Sequence, residues 1–348
     1  MNKVNIAVDA MGGDHGPSVI VPAALDALAE YPQLHLILVG DQQLLSDELL
    51  LQKIAYDTTR LRIHHASEQV LMDESIANAL RGKKDSSMRV AINLVKSGEA
   101  SACISAGNTG ALMAIARFVL KTLPGIDRPA IVYPIPIKVD EPQMGRMRML
   151  DLGANVDCQG EDLFQFAVMG SVLAKEVDNL VRPRVGLLNI GSEEIKGTEA
   201  VKKASQMLSE TPAINYIGFV EPTEMYQGKA DVLVCDGFVG NVALKTTEGV
   251  AKMLIGFFRR EFTRSFYTKF IALLAYPILR ALKTRFDPSQ YNGASLVGLN
   301  GIVIKSHGNA HRHSFKQAIV EAIVEVEKNI PERIRSEVEH YLGKRNAV

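Results

Sequence analysis

Several features that would assign this chain quickly are missing from it. Cysteine is scarce: Cys103, Cys158 and Cys235 are the only three in 348 residues, and no two form a CxxC pair. Neither a disulfide framework nor a thiolate zinc site is therefore written into the sequence, and reduced thiols fit a cytoplasmic protein. Cys103 and Cys235 lie in the apolar runs ACIS and VLVCDG, where a thiol acts as a small core filler. Long hydrophobic runs are absent as well. The longest, Phe270 to Leu279, is about half of the roughly 20 residues that a spanning helix needs. The N-terminal MNKVNIAVDA enters a strand pattern at once, without the apolar centre of a signal peptide. Net charge is also missing, with 39 basic and 39 acidic residues, so no global field points to nucleic acid. There is no GxGxxG, no GxxxxGK[ST] and no GxSxG, so a dinucleotide fingerprint, a P-loop and a serine-hydrolase elbow have no support.

What is present is an ordinary globular mixture, 47% apolar and 22% charged. The length slightly exceeds the roughly 250–300 residues at which one core usually stops growing. We expect one α/β catalytic domain over residues 1–348, with a helical protrusion over 242–286. Short apolar runs rich in β-branched residues recur at Val4–Val8, Leu34–Val39, Ala100–Ser105, Val185–Ile190, Ile214–Phe219 and Val232–Cys235. Near-continuous apolarity is what parallel strands covered on both faces require. Helical spacing separates them, as in Met88, Ala91, Ile92 and Val95, and again from Phe315 through Val326. The alternation predicts a doubly wound, mostly parallel sheet in an α/β/α layering.

Two regions break the rhythm. Ile131–Ile137 carries two prolines, which suit an edge strand, and Met147–Leu152 can pair with it through a turn at Val139–Gly145. From Val242 to Phe286 only a helical pattern remains, interrupted by Pro277.

In open parallel sheets ligands bind beyond the carboxyl ends of the strands. Here those loops are rich in glycine and small polar groups, and we expect them on one edge of one sheet. The Ser105–Gly110 loop enters a helix whose free N–H groups and dipole favour an anion, although Asn108 and Thr109 also suit plain capping. The first loop gathers Asp9, Asp14 and His15 around a Gly-Gly turn, and Pro17 can open the following helix. Lys196 sits in a strand-to-helix loop where a cation can meet an anion, or simply face solvent. Asn241 can cap the long helix or donate an amide to a substrate. His307, His311 and His313 lack accompanying cysteines or a nearby carboxylate, so no metal site is expected. His35, His64 and His65 stand beside strand positions and need no functional explanation.

The segments DAMGGDHGP, CISAGNTGALM, GIDRPA, LDLGANVD, GLLNIGSE followed by KG, CDGFVGN and NGASLVGL run in order through most of the chain. Together they resemble the phosphate acyltransferase (PlsX) family of bacterial phospholipid synthesis. The resemblance implies transfer of a fatty acyl group from acyl-acyl-carrier protein to inorganic phosphate, without a cofactor. It also implies a fold similar to isocitrate and isopropylmalate dehydrogenases, a homodimer, and peripheral membrane association near the downstream glycerol-3-phosphate acyltransferase. On that pattern Lys196 and Asn241 are the catalytic residues. The candidate phosphate- and substrate-binding positions are Asp9, Gly13, Asp14, His15, Ser105, Gly107, Asn108, Thr109, Gly110, Asp151, Asn155, Asp236 and His307. The expected arrangement has the Ser105–Gly110 helix start and Lys196 holding phosphate while Asn241 polarises the thioester carbonyl. The rivals are a short-chain phosphate acyltransferase using coenzyme A, an NAD-dependent dehydrogenase of similar fold, and a non-catalytic scaffold for carrier protein.

Between Arg259 and Arg285 the chain carries Arg259, Arg260, Arg264, Lys269, Arg280, Lys283 and Arg285 against one acid, Glu261. The apolar tip between them includes Phe270, Ile271, Leu273, Leu274, Ile278 and Leu279. Cations flanking a short apolar tip suit attachment to anionic lipid. A dimer interface and docking of an acidic carrier protein remain alternatives for the same segment.

Overall fold

The computed structural model describes residues 3–138, 145–285 and 292–345. In chain order its elements are β1 (Val4–Asp9), α1 (Pro17–Glu30), β2 (Leu34–Gly40), α2 (Gln42–Gln52), β3 (Leu61–His65), α3 (Ile76–Arg81), α4 (Ser87–Lys96), β4 (Ala102–Ser105), α5 (Thr109–Leu120), β5 (Ala130–Ile137) and β6 (Gly145–Leu150). There follow α6 (Gly160–Val177), β7 (Arg184–Leu188), α7 (Glu199–Ser209), β8 (Asn215–Val220), β9 (Val232–Val234), α8 (Gly237–Thr263), α9 (Phe266–Leu274), α10 (Tyr276–Arg285), β10 (Ala294–Val297), β11 (Ile302–Lys305), α11 (Arg312–Lys328) and α12 (Ile330–Arg345).

The strands form one sheet in the order β3-β2-β1-β4-β11-β10-β5-β6-β9-β7-β8. Side-chain alternation divides its two faces. Ile6 and Val8 of β1 pack with α1 and α11, while Ala7 points to the side of α4 and α5. In the other half, α6, α7 and α12 bury their apolar faces against β6, β7 and β9. Helices on both faces of a mainly parallel sheet are the expected layering. The short strands β3, β10 and β11 had no clear signal in the sequence. β3 is a half-polar edge (LRIHH), and the other two span only four residues each.

Two expectations about the sheet need correction. β5, the strand with two prolines, is not at an edge but lies between β10 and β6. Its pairing with β10 stops at Val132, whereas its pairing with β6 continues to Ile137. Pro134 and Pro136 thus occupy a stretch with only one neighbour, where a missing N–H breaks nothing on the open side. The hairpin with β6 is present, and most of its turn lies outside the described residues.

The second correction concerns strand direction. β1, β2, β3, β4 and β11 run one way. Antiparallel steps from β11 to β10, β10 to β5 and β5 to β6 leave β6, β9, β7 and β8 running the other way. The polar loops therefore do not line a single edge. They close two opposed strand sets that end on one level, because Val8, Ile104, Ile304, Ser295, Val132, Leu150 and Val234 share a continuous rung of pairings.

The helical segment begins earlier than residue 242. Asp236 caps α8, and Ala243 and Leu244 pack against the core, while residues 249–261 of the helix are exposed. It breaks first at Ser265, which forms a capping box with Thr268, and again at Ala275. Pro277 interrupts nothing, since it lies in the first turn of α10, where its missing N–H is tolerated. No helix among the described residues is long and apolar enough to cross a membrane.

Candidate active site

At one set of strand ends, Asp9, Ser105 and Lys305 are paired neighbours on β1, β4 and β11. Paired residues project to the same face, so a carboxylate, a hydroxyl and an ammonium sit side by side. Asp9 is buried, and its carboxylate accepts hydrogen bonds from the Ser105 and Ser87 hydroxyls, each at 2.6 Å. Burial raises the Asp9 carboxyl above its ordinary value, and those two hydroxyls oppose the rise. The Ser105 hydroxyl also accepts from the Gly107 N–H at 3.0 Å. The Asn108 side-chain oxygen caps α5 through the Ala111 N–H at 3.0 Å, while its amide holds the Met72 and Glu74 carbonyls. Capping is therefore the work of Asn108, and Ser105 braces the turn. What remains available to an anion is the backbone N–H of Asn108, Thr109 and Gly110, which bond to no group among the described residues.

Three loops converge here. The Asp14 N–H donates to the Gly308 carbonyl at 2.8 Å. Gly13 has φ 83°, and a Cβ there would fall 2.8 Å from that same carbonyl oxygen and 2.9 Å from the Ala106 methyl. Only glycine lets the loops meet so closely. Asp14, His15 and Thr109 are exposed on this surface. The Asn292 side chain accepts from the His307 N–H at 2.9 Å and donates to the Ser306 hydroxyl at 2.8 Å. Desolvation lowers the His307 imidazole below its ordinary value; Glu248 opposes this, and Lys305, Lys245 and Lys252 reinforce it. His311 caps α11 through the Ser314 N–H, and no three His, Cys, Asp or Glu side chains among the described residues could hold a metal ion.

The opposed set of strand ends is organised by Asp151. One carboxylate oxygen accepts from the N–H groups of Ile131, Leu152 and Ala154 at 3.0, 2.7 and 3.3 Å. The other accepts from Asn155, by backbone N–H at 2.6 Å and side-chain amide at 3.0 Å. Burial nevertheless raises the Asp151 carboxyl. Asn155 also donates to the Pro129 carbonyl, so both residues shape the loop and present no free donor to a ligand. Asp236 caps α8 through the Val239 N–H at 2.8 Å. Asn241 is not the cap. It lies in the second turn of α8, exposed and close over Gly153, and its amide has no partner among the described residues.

Lys196 follows β7, whose neighbour in the sheet is β9, the strand before α8. The strand order places it on the Asn241 side and not beside Ser105. Its ammonium is exposed, with Glu193 at 4.0 Å as its one ion-pair partner among the described residues, while Asn189 and Thr198 shape its loop. α8 links the two sets. It starts at Asp236, and Lys245 and Glu248 one to two turns beyond Asn241 interact electrostatically with Lys305 and His307.

The three thiols are buried, and burial raises all of them, which is opposite to what a nucleophilic cysteine needs. Lys305, Asn292 and Ser306 were not singled out from the sequence. IVIK reads as an apolar strand with a polar end, and only the convergence of the loops buries its lysine.

An α/β enzyme with anion-ready loops at opposed strand ends, and no reactive thiol, fits group transfer between small anionic and acyl substrates. Residues 4–333 match the family model described as "Fatty acid synthesis protein". The chain is 57% identical over 346 residues to the phosphate acyltransferase of Nitrosococcus oceani, covering 99% of this chain and 100% of that one. It is 57% identical to that of Methylococcus capsulatus (98% of each chain) and 53% identical to that of Legionella pneumophila strain Paris (99% and 98%). The chain belongs to the phosphate acyltransferase family. Among solved structures, a phosphotransacetylase from Streptococcus pyogenes matches with TM-score 0.62 at 18% identity, covering 93% of this chain and 94% of that one. A 4-hydroxythreonine-4-phosphate dehydrogenase from Klebsiella pneumoniae matches with TM-score 0.51 at 14% identity, covering 92% and 99%. These two show the fold alone.

Proposed function

We propose that this acyltransferase moves a fatty acyl group from the thioester of acyl-acyl-carrier protein to inorganic phosphate, giving acyl phosphate for phospholipid synthesis. A phosphate oxygen attacks the thioester carbonyl, the C–S bond breaks, and the carrier thiolate leaves and takes up a proton. The observation that carries this reading is the Asn241 amide, exposed and without a partner among the described residues, on the helix that links the two sets of strand ends. Phosphate is received by the Asn108–Gly110 N–H groups, with Asp14, His15 and Thr109 at the rim. Asn241 donates to the carbonyl oxygen as it becomes an oxyanion, and the exposed Lys196 side chain adds positive charge from the adjoining loop. Holding phosphate against the carbonyl contributes about 7–11 kcal/mol where geometry is good, and one oxyanion donor about 2.7–4 kcal/mol.

The helical arm supports two further assignments. Its stem exposes Met253, Leu254, Ile255, Phe257 and Phe258, a surface suited to a second copy of the chain. At the tip, Phe270, Ile271, Leu273, Leu274 and Ile278 are exposed beside Arg259, Arg260, Arg264, Lys269 and Arg280, while Leu279 is half-buried. We assign the tip to an anionic membrane surface, where the product meets the downstream glycerol-3-phosphate acyltransferase.

The deciding experiment offers the protein phosphate with long-chain acyl-carrier protein, then with acyl-coenzyme A, then NAD with a hydroxy acid. Acyl phosphate only from the carrier thioester supports the assignment; a reduced cofactor or no product overturns it. Lys196→Ala is expected to lose acyl phosphate formation while keeping the wild-type melting curve. Near-normal turnover in that folded variant removes the lysine from the mechanism.

A further inference from the structure

Lys305 is a buried cation without a contacting carboxylate. Only 9% of it is exposed, and it forms no ion pair within 4 Å among the described residues. Buried lysines are rare unless paired. Its ammonium donates to the Ala106 carbonyl at 3.2 Å and to the Ser306 carbonyl, tying the turn after β4 to the turn after β11. Asp9 lies on the same rung, but both of its oxygens are occupied by serine hydroxyls. Asp14 is exposed at the rim, and Lys245 of α8 adds a second positive charge. An apolar side chain at this position would avoid the desolvation penalty of an ammonium but would leave both carbonyls without this donor. The ammonium holds the Ala106 carbonyl, two residues before the free N–H groups at the start of α5.

We propose that Lys305 is the positioning residue for the phosphate nucleophile, fixing the Ser105–Gly110 turn from behind and supplying the positive potential that draws phosphate to it. This deepens the acyl-transfer reading and rests on its phosphate subsite. Burial lowers the Lys305 ammonium to about 8, against the opposing pull of Asp9 and Asp14 and with the help of Lys245, so its charge is lost in an accessible range. His307 lies next to it, and Glu248 and Lys252 face that imidazole from α8.

The test compares wild type with Lys305→Met in steady-state acyl phosphate formation between pH 7 and 9.5, varying phosphate and acyl donor separately. Inorganic phosphate is also titrated against melting temperature in both proteins. Lys305→Met is expected to raise KM for phosphate at least tenfold and leave KM for the acyl donor within twofold. In wild type, KM for phosphate is expected to climb as pH passes 8, and this limb is expected to vanish in the variant. Should the variant not fold, the wild-type profile decides: a phosphate KM flat across this range overturns the proposal. Equal stabilisation of both proteins by phosphate also overturns it. If wild type forms no acyl phosphate, yet phosphate stabilises it and not the variant, the anion role stands and the acyl-transfer reading falls.

Discussion

Replacing Gly240 by alanine tests whether the close seating of α8 aligns the site. A Cβ at Gly240 would lie 1.9 Å from the Asp151 carbonyl oxygen and 2.9 Å from the Cys235 sulfur. Ordinary contact begins near 3.4 Å, so the first turn of α8 or the Asp151 loop must retreat by about 1.5 Å. Overpacking of this kind costs about 1–3 kcal/mol of stability. The effect on catalysis is expected to be larger, because Asn241 is the next residue and a displacement of about 1 Å can cost a hundredfold in rate. Gly249, in the same helix, provides the control: nothing lies within 4 Å of its Cβ position. Alanine there gains up to about 1 kcal/mol of helix propensity and disturbs no contact. Steady-state acyl phosphate formation and urea unfolding are measured on Gly240→Ala and Gly249→Ala. The expected result is a fall in kcat of about two orders of magnitude for the first and wild-type kcat for the second. If Gly240→Ala folds and keeps its kcat, the seating of α8 is not what aligns Asn241.

Two other expectations concern parts of the molecule away from the chemistry. Glu325 is buried, and desolvation, reinforced by Glu321, raises its carboxyl while Ser295 and Arg148 oppose the rise. Between the ordinary carboxylate value and the raised one, the folded protein keeps a proton that the unfolded chain has lost. Stability therefore falls as pH rises through that window, by about 1.4 kcal/mol per pH unit at most. Glu325→Gln is expected to flatten the decline in urea unfolding between pH 5 and 8, and parallel curves for the two proteins would rule out the linkage. At the helical tip, Leu274→Glu is expected to reduce co-sedimentation with anionic vesicles while leaving acyl phosphate formation in solution unchanged. Unaltered co-sedimentation counts against insertion of the tip.

The elements were legible because strands covered on both faces must be apolar almost throughout. LHLILVG admits no other comfortable fate, and the helices between announce themselves by spacing. Direction was not legible. Apolar pattern says that a strand is buried but not which way its neighbour runs, so two opposed sets read as one. β5 misled for a related reason, since its prolines report one open side over part of its length, while its other end is held by β10. At the site, residue types did not give the duty of each side chain. Asn108 caps α5, Asp236 caps α8, and Asp151 gathers backbone donors. Lys305 was invisible because its burial is a product of loops from β1, β4 and β11, which are far apart in sequence.

That division of duties bears on the reaction. The two buried carboxylates closest to the strand ends, Asp9 and Asp151, are fully engaged by hydroxyl and N–H donors. A mechanism that used Asp9 or Asp151 as general base would have to disrupt its network and leave several buried donors unpaired, each at about 1–3 kcal/mol. Thioester phosphorolysis makes no such demand: phosphate is nucleophilic at neutral pH, and a thiolate leaves without protonation. Its requirements are a place for an anion, a donor where the oxyanion forms, and fixed distance between them. Among the described residues, the backbone N–H groups at the start of α5 and the Asn241 amide have no partner, and the exposed Lys196 ammonium has Glu193 at 4.0 Å. The internal bonding of the carboxylates therefore argues for catalysis by placement, with the acids serving as the frame that keeps the donors still.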